Sequence, residues 1–271
     1  MSARQQMKSS VVLRWQAGSK PRRVRDELAT EEPLEIQVET RPVVVTMRTP
    51  GNDAELAAGF LLTEGLIHQR DDIMKITPYP RNEAGNVLGV FLAPGIRVDF
   101  AQLTRHVFAS SSCGLCGKAS IAAVHRHFPK VKARLVVPVA TLLGLPEQLR
   151  DGQDTFGRTG GLHAAAIIDS RGKLVVLRED IGRHNAVDKA LGYGLLEGLL
   201  PFDRHLLMVS GRASFEILQK ALAARIPIVA AVSAPSSLAV QFAAQSGQTL
   251  VGFLRGDRLN VYSGPQRIRL V

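Results

Sequence analysis

The feature that most limits what this chain can fold into is the regular alternation of strand and helix patterns in its second half. The strand patterns are short aliphatic or β-branched runs, whereas the longest helix pattern repeats an apolar residue every fourth position. The predicted strands cover residues 164–169, 173–177, 205–209, 227–232, 249–254 and 259–263, and the predicted helices cover residues 139–150, 185–200, 215–225 and 236–247. Alternation of this length predicts an α/β fold, a three-layer sandwich with a largely parallel sheet edge.

The first half of the chain is richer in strand patterns and contains one clear helix. Its predicted elements are an extended basic arm over residues 1–30, a hairpin of residues 34–39 and 43–47 turned near Arg41 and Pro42, a helix capped by Asp53 and closed near Gly65, and strands at 87–92 and 96–100. We therefore expect two domains. The smaller, β-rich N-terminal domain covers residues 1–130 and ends in a mobile loop at 110–118, and the α/β domain covers residues 131–271.

Composition narrows the class of partner. A chain of 271 residues with 45% hydrophobic content has enough apolar residues for a core without disulfide bonds. The net charge of +10 favours an anionic partner, although abundant solvated arginine explains it equally well. Aromatic residues make up only 5%, and no basic segment carries stacking side chains, so we expect no nucleic acid partner.

Without an apolar leader or a run of membrane-spanning length, we expect a cytoplasmic protein with no membrane contact.

Cys113 and Cys116, in the segment SSSCGLCGK, are the only cysteines of the chain. A Cys-x-x-Cys pair suits half of a zinc site, a redox disulfide, or a nucleophilic thiolate with a second thiol beside it. The nearby His125 and His127 do not have zinc-finger spacing and would lie on different faces of a helix, so we expect no metal site. The surrounding serines and glycines predict a mobile loop, which suits the transfer of a chemical group between partners.

A second motif is TGGLH, which ends at His163. Gly160 and Gly161 allow a ligand to approach the backbone closely, so these glycines and His163 are candidate ligand-binding residues. A histidine that leads into an apolar run is also commonly structural. The segment resembles the His-x-Glu of zinc deaminases, but Ala165 stands where the glutamate is needed, so we exclude deaminase chemistry.

Further polar turns follow the predicted strands. The segment EDIGRHN, residues 179–185, occupies a strand-to-helix turn, where α/β domains bind ligands. Ser210, Gly211 and Arg212 follow the next strand and suit an anion cradle, and residues 233–237 repeat this small hydroxylated turn. Each turn by itself is consistent with ordinary capping, but together they predict a crevice for a nucleotide-like or phosphorylated ligand.

Taken in order, these motifs resemble the FdhD sulfur-carrier family. The matching segments are SSCGLCG around Cys113, TGGLH at 159–163, EDIGRHN at 179–185, SGRASFE at 210–216, AVSAPSSLA at 231–239 and GFLR at 252–255. The resemblance covers most of the chain beyond the N-terminal arm.

The resemblance implies an accessory protein for formate dehydrogenase whose C-terminal domain has the cytidine-deaminase-like fold. Such a protein takes sulfane sulfur from a cysteine desulfurase and passes it to the bis-molybdopterin guanine dinucleotide form of the molybdenum cofactor, which is its bound substrate. Carried onto this chain, Cys113 would bear the persulfide and Cys116 would be the second thiol. The cofactor would contact Phe253, Leu254, Arg255, Gly256, Asp257 and Arg258. The expected partners are the desulfurase, formate dehydrogenase and a second copy of the chain in a homodimer.

Overall fold

The computed structural model describes residues 6–79, 85–98, 100 and 128–270, and in these ranges the protein is a mixed α and β structure. The strands are β1 Met7–Arg14, β2 Arg22–Ala29, β3 Glu32–Val38, β4 Arg41–Arg48, β5 Ile73–Pro78, β6 Val87–Leu92, β7 Val137–Pro138, β8 His163–Asp169, β9 Leu174–Asp180, β10 His205–Val209, β11 Ile228–Ala231, β12 Thr249–Arg255, β13 Arg258–Ser263 and β14 Ile268–Arg269. The α-helices are α1 Asp53–Thr63, α2 Val139–Leu143, α3 Leu145–Asp151, α4 Asp154–Thr159, α5 Arg183–Leu196, α6 Phe215–Ala223 and α7 Ser237–Ser246.

The largest sheet has six strands in the order β13-β12-β11-β10-β8-β9. Strands β10, β11 and β12 are parallel, whereas β8, β9 and β13 each run antiparallel to their neighbours. The predicted parallel arrangement is therefore confirmed for three central strands. Because β8 runs against β10, the start of β8 lies at the same edge of the sheet as the carboxyl ends of the parallel strands.

Both faces of this sheet are covered, which gives three layers. Ile167, Leu207 and Val229 belong to a core cluster that includes α5, α6 and α7. Their chain neighbours Leu206 and Ile228 belong to a second cluster with residues of α2 and α3. Successive residues of a strand point to opposite faces, so helices pack on each side of the sheet.

Helix α1 joins the N-terminal part of the chain to this sandwich. The N-terminal sheet has the order β4-β3-β6-β5, and its apolar residues share one core cluster with α5. Gly59 of α1 and Gly192 of α5 make the contact: a Cβ atom at Gly59 would lie 1.8 Å from the Asp188 carbonyl oxygen, and one at Gly192 would lie 1.8 Å from the Glu55 carbonyl oxygen. The two helices therefore touch backbone to backbone. The division of the chain near residue 130 stays a prediction about domains.

The predicted arm is an antiparallel ribbon of β1 and β2, in which Met7 pairs with Ala29 and Arg14 with Arg22. Its base is fixed to α4, because the Thr155 hydroxyl donates to Gln6 Oε1 at 2.8 Å and Arg158 pairs with Glu27. No helix in the described ranges is long and apolar enough to cross a membrane.

The predicted strand at residues 96–100 is wrong, because residues 96–98 lie outside any strand. Strand β6 pairs instead with β5, which was not predicted. The predicted cap at Asp53 is also wrong: Asn52, with φ 58°, is the capping residue, and its side chain caps nothing. Asp53 is the first helical residue, and its carboxylate binds the Arg48 guanidinium through two contacts of 3.0 Å.

Two predicted helices have different bounds in the structure. Gly144 separates α2 from α3 where a single helix over residues 139–150 was predicted. Helix α5 ends at Leu196 rather than near Leu200, because Gly198 takes the left-handed conformation with φ 67°.

Candidate functional site

The polar turns predicted as ligand-binding lie at one edge of the six-stranded sheet. His163 begins β8 and pairs with Asp180 at the end of β9, while Ser210 directly follows β10. The Ser210 N–H donates to the Ala164 carbonyl at 3.0 Å, and the Ser210 hydroxyl accepts from the Ala164 N–H at 2.9 Å. These bonds fix the turn after β10 against the start of β8.

The next two turns are linked by backbone bonds along the same edge. The Ala213 N–H donates to the Ala234 carbonyl at 3.2 Å, and the Ser236 N–H donates to the Ala213 carbonyl at 3.0 Å. Across the following turn, the Phe253 N–H donates to the Ser233 carbonyl at 3.1 Å. With neighbouring strands about 4.8 Å apart, the edge from β8 to β12 is about 14 Å wide. The N-termini of α5, α6 and α7 also lie here and add positive potential.

Gly211 lies between His163 and Arg183. A Cβ atom at Gly211 would be 3.3 Å from His163 Nδ1 and 4.0 Å from Arg183 Cδ, so a larger residue would crowd both side chains. Burial, and then the charge of Arg183, lower the pKa of His163 against the opposing effect of Asp180. His163 is therefore a neutral hydrogen-bonding group at neutral pH.

Arg183 and Arg212 give this edge its positive charge. Arg183 begins α5, and its Nε is buried without a hydrogen-bond partner in the described part of the chain. Arg212 is exposed, and within the described ranges no carboxylate forms an ion pair with either arginine. A buried guanidinium N–H with an open hydrogen bond and no counter-ion favours an anionic ligand.

Ser214, His184 and Glu216 form a chain of contacts at the start of α6. His184 Nε2 lies 3.3 Å from Ser214 Oγ, and His184 Nδ1 lies 3.3 Å from Glu216 Oε2. Burial, followed by the positive charges of Lys220 and Arg183, lowers the pKa of His184 from 6.5 to about 3. The ring is neutral at neutral pH, so the Nδ1 proton faces Glu216 while Nε2 accepts from the Ser214 hydroxyl.

Two buried ion pairs stabilise the elements that form this edge. Lys189 Nζ lies 2.7 Å from Asp180 Oδ2, with side chains 1% and 0% exposed. Asp180 also accepts N–H bonds from Thr49 and Gly182, so it fixes the turn that presents Arg183. The second pair, Lys220 with Asp188, joins α6 to α5.

Glu179 fixes the turn that carries Gly160 and Gly161. Its carboxylate accepts the N–H groups of Thr155 at 3.0 Å and Phe156 at 2.8 Å, which are at the start of α4. Gly160 ends that helix in the left-handed conformation with φ 67°, and both glycines are exposed. They therefore leave open backbone next to His163.

The segment from Phe253 to Arg258 comprises the last three residues of β12, the two-residue turn at Gly256 and Asp257, and the first residue of β13. Phe253 has φ 51° and is 37% exposed, and Arg255, Gly256, Asp257 and Arg258 are exposed. Leu254 is fully buried in the second core cluster, so only its backbone faces a ligand. Arg255 Nε donates to the Val232 carbonyl at 3.0 Å, which ties this turn to the one after β11.

Cys113 and Cys116 lie outside the described residues, as do His125 and His127. Within the described ranges, no group of three or more histidine, cysteine, aspartate or glutamate residues could hold a metal ion. Of the predicted site residues that it describes, the structure brings together Gly160, Gly161, His163, Ser210, Gly211 and Arg212. The segment 253–258 lies at the same edge of the sheet.

Comparison with known proteins decides the family. The family model described as FdhD/NarQ matches residues 29–269. The chain belongs to the FdhD/NarQ family. The resemblance drawn from the sequence motifs is thus confirmed.

Individual relatives agree with the FdhD/NarQ assignment. The chain is 51% identical to the "Sulfur carrier protein FdhD" of Streptomyces avermitilis over 258 residues, which covers 90% of each chain. It is also 51% identical to the protein of the same name from Mycobacterium tuberculosis, which covers 90% of this chain and 92% of the relative. A crystal structure from Desulfotalea psychrophila, described as a formate dehydrogenase accessory protein, is similar with a TM-score of 0.74 and 27% identity over 97% of this chain and 98% of the other.

Within this FdhD/NarQ chain, sequence reasoning missed the roles of Arg183 and His184. Both were noted as part of the turn at 179–185, but neither was placed among the ligand-binding residues. The available signal was their position at the first turn of a helix that directly follows a strand. Lys220 was missed completely, because a lysine within a helix pattern looks like a solvated side chain.

Proposed function

We propose that this chain is a sulfur carrier that accepts sulfane sulfur on Cys113 and transfers it to the bis-molybdopterin guanine dinucleotide form of the molybdenum cofactor, which enables formate dehydrogenase activity. The donor in this proposal is a cysteine desulfurase. The names of the half-identical relatives support a sulfur-carrier role. The protein is thus a sulfurtransferase that works through a persulfide.

The observation that carries the cofactor part of the proposal is the pair Arg183 and Arg212, for which the described part of the chain supplies no carboxylate partner. The dinucleotide groups of this cofactor carry phosphates, and Arg183 and Arg212 offer fork-shaped donors beside three helix N-termini. Gly160 has no atom within 4 Å of its Cβ position and leaves space for a phosphate to approach the backbone, and Gly161 and Gly211 are proposed as contacts beside it. His163, which is neutral, adds a hydrogen bond without competing charge. Ser210 and the residues from Phe253 to Arg258 complete the proposed contacts.

The proposed chemistry needs only the two thiols and a reductant. The Cys113 thiolate attacks the outer sulfur of the desulfurase persulfide, and the desulfurase thiolate leaves. Cys116 then attacks the inner sulfur of the Cys113 persulfide. This step forms a Cys113–Cys116 disulfide and releases the outer sulfur as sulfide, whose two electrons come from the thiol pair. A dithiol reductant restores the thiols.

The test is mass spectrometry of the protein after incubation with a cysteine desulfurase and cysteine. In the wild-type protein we expect the peptide that contains Cys113 to carry one added sulfur atom or, once Cys116 has released that sulfur, the Cys113–Cys116 disulfide, and we expect no added sulfur in the Cys113→Ala variant. The Cys116→Ala variant should retain the added sulfur, because release by the second thiol is blocked. A Cys116→Ala protein without the mass gain, or a Cys113→Ala, Cys116→Ala protein with the full gain, contradicts the proposal.

The same variants separate a carrier from a chaperone that only binds the cofactor. Cells that make Cys113→Ala protein should lack formate dehydrogenase activity if sulfur transfer is the function. Retained activity would instead favour the non-catalytic chaperone. We also propose a homodimer, for which analytical ultracentrifugation gives the mass directly.

A further inference from the structure

The ribbon of β1 and β2 has one face that combines exposed apolar and basic side chains. Val11 is 64% exposed, Leu13 is 68% exposed and Trp15, which follows β1, is 66% exposed. Cross-strand pairing places Arg25 opposite Val11 and Arg23 opposite Leu13, and both arginines are exposed. We refer to these five residues as the Trp15 face.

The apolar content of the Trp15 face is unusual for a solvated surface. Three large apolar side chains recur at every second position, so they form one continuous strip rather than scattered exposure. Val12 and Val24, which pair on the opposite face, are only half-exposed. No described residue covers the Trp15 face, and a two-stranded ribbon by itself buries little apolar surface.

Charge indicates what binds there. Residues 7–29 contain six lysines and arginines but only two acidic residues. Glu27 is paired with Arg158, and Asp26 lies 3.4 Å from Arg14. The unpaired charge on the Trp15 face is therefore positive, so a second copy would bring arginines together and repel, whereas an acidic partner would be attracted.

The composition of the Trp15 face favours a protein rather than a nucleic acid. Tryptophan and arginine are the residues that most often dominate binding energy at the centre of protein interfaces. Single-stranded nucleic acid needs several aromatic platforms, and this face has one. A ribbon of eight-residue strands is about 27 Å long, so it covers less than the roughly 800 Å² per partner of a standard interface. The complex should therefore be short-lived, which suits a carrier.

The ribbon also lies next to the candidate site. Its base is bonded to Thr155 of α4, and Ala29 Cβ lies 3.2 Å from where a Cβ atom of Gly161 would be. The Trp15 face begins four residues beyond this base, about 13 Å along β1, so a protein bound there would lie on the ribbon that projects from the turn leading into His163.

We propose that the Trp15 face is the docking surface for an acidic partner protein in sulfur transfer. This inference rests on the proposed sulfur-carrier function and adds the partner surface to it. The probes are purified cysteine desulfurase and purified formate dehydrogenase, titrated separately by isothermal calorimetry against the full-length protein at low and high salt.

Two paired variants test the apolar and the basic parts. The Leu13→Ser, Trp15→Ser protein is compared with Leu270→Ser, whose side chain is 70% exposed and lies outside the ribbon. The Arg23→Glu, Arg25→Glu protein is compared with Arg134→Glu, Arg204→Glu, which makes the same charge change at exposed positions elsewhere. We expect at least one probe to bind the wild-type protein, with the Kd raised about 10-fold or more by each ribbon variant and unchanged by each control. Binding should also weaken as salt rises.

A small donor separates docking from chemistry. Loading of sulfur from inorganic polysulfide needs no protein docking, and it is measured in the Cys116→Ala background, which retains the added sulfur. The ribbon variants should load like their parent from polysulfide and, where the desulfurase is the probe that binds the Trp15 face, poorly from the desulfurase. If polysulfide and desulfurase both fail to load the Cys116→Ala protein, the proposed function fails, while a ribbon-dependent Kd would still support the docking surface. Equal Kd values for ribbon variants and controls with both probes overturn the inference. So does a wild-type protein that binds neither probe but binds transfer RNA or anionic lipid vesicles.

Discussion

Replacement of Lys220 by methionine should destabilise the protein strongly. Lys220 Nζ lies 2.8 Å from Asp188 Oδ2 and 3.0 Å from Asp188 Oδ1, and it donates to the Thr63 hydroxyl at 3.1 Å. The Lys220 and Asp188 side chains are each 3% exposed. This cluster joins α6, α5 and α1, so it connects the sandwich to the helix that carries the N-terminal sheet.

The size of the effect follows from what the substitution leaves behind. Methionine fills most of the space of the lysine stem but leaves the Asp188 carboxylate buried without its cation. Removal of one partner from a buried pair costs about 3–5 kcal/mol, which is a large part of the roughly 5–15 kcal/mol that stabilises a typical domain. In the Asp188→Leu, Lys220→Met protein neither member of the buried pair is left as an unpaired charge, and Glu216, which lies 3.8 Å from Lys220 Nζ, is only partly buried, so the loss should be much smaller than the sum of the two single losses.

Urea unfolding followed by circular dichroism measures these differences. Burial opposes the charge of Lys220, but Asp188 and Glu216 outweigh it and raise the pKa of the ammonium. A raised pKa means that the stabilisation is fully present below the ordinary lysine value of 10.5 and is lost only as the pH rises through the higher folded value. Lys220 itself therefore adds no pH dependence between about pH 6 and pH 8. Burial raises the pKa of Asp188, and in Lys220→Met this carboxyl also loses its cation and takes up a proton more readily at low pH, so the destabilisation should be smaller at about pH 6 than at pH 8.

Two results would refute this reasoning. One is a loss below about 1 kcal/mol for the single variant, which is the range of exposed ion pairs. The other is a double variant whose loss equals the sum of the single losses, because the two side chains would then not interact. Unchanged m-values among the variants confirm that the same unfolding reaction is being compared.

Three other predictions follow from the packing and the site. Gly192→Ala should destabilise by about 1–3 kcal/mol or more in urea, because its Cβ would overlap the backbone of α1, whereas Gly157→Ala, with open space around it, should not destabilise. Lowering the pH from 6.5 to about 3 should protonate His184 in the unfolded chain only, so the free energy of unfolding of the wild-type protein should fall by up to about 1.4 kcal/mol per pH unit more than that of His184→Gln. Equal dependence of the unfolding free energy on pH in the two proteins would contradict the low pKa of His184. Binding of GDP, a probe for the nucleotide half of the proposed substrate, should be about 10-fold weaker in Arg212→Ala and unchanged in Arg204→Ala by calorimetry, and equal affinities would remove Arg212 from the proposed site.

Much of the central sheet could be predicted from the sequence. The runs at 205–209 and 227–232 are short and aliphatic, so the local pattern predicts buried strands there. Ser236 and Gly247 are residues typical of helix ends, so they predict where α7 begins and ends. The Ser236 hydroxyl accepts the Ala239 N–H at 3.2 Å, as an N-cap should. The prediction failed for β5, whose lysine and terminal proline do not look like a strand and whose pairing depends on β6.

The candidate site was predictable in composition but not in arrangement. The turns after the strands predicted an anion crevice, because small residues and arginines recur at several neighbouring strand ends, where α/β sheets bind ligands. The contacts between these turns could not be predicted from the sequence, because they depend on the order of the strands in the sheet. That order places β8 next to β10, although 35 residues separate the two strands. Leu254 shows the same limit: it belongs to the predicted contact segment, yet its side chain points into the core.

The sequence by itself determined the alternation of strands and helices, the polar turns that end the strands, the single cysteine pair and, through those motifs, the family. These features are local, because hydrophobic period and turn chemistry act over a few residues. The tertiary structure decided which charges are paired and which are open. Lys220 pairs with Asp188 and Lys189 with Asp180, whereas Arg183 has no carboxylate partner among the residues that the structure describes. That selection depends on the close contact of α1 with α5 at Gly59 and Gly192, because only three-dimensional packing determines which distant groups share a buried environment.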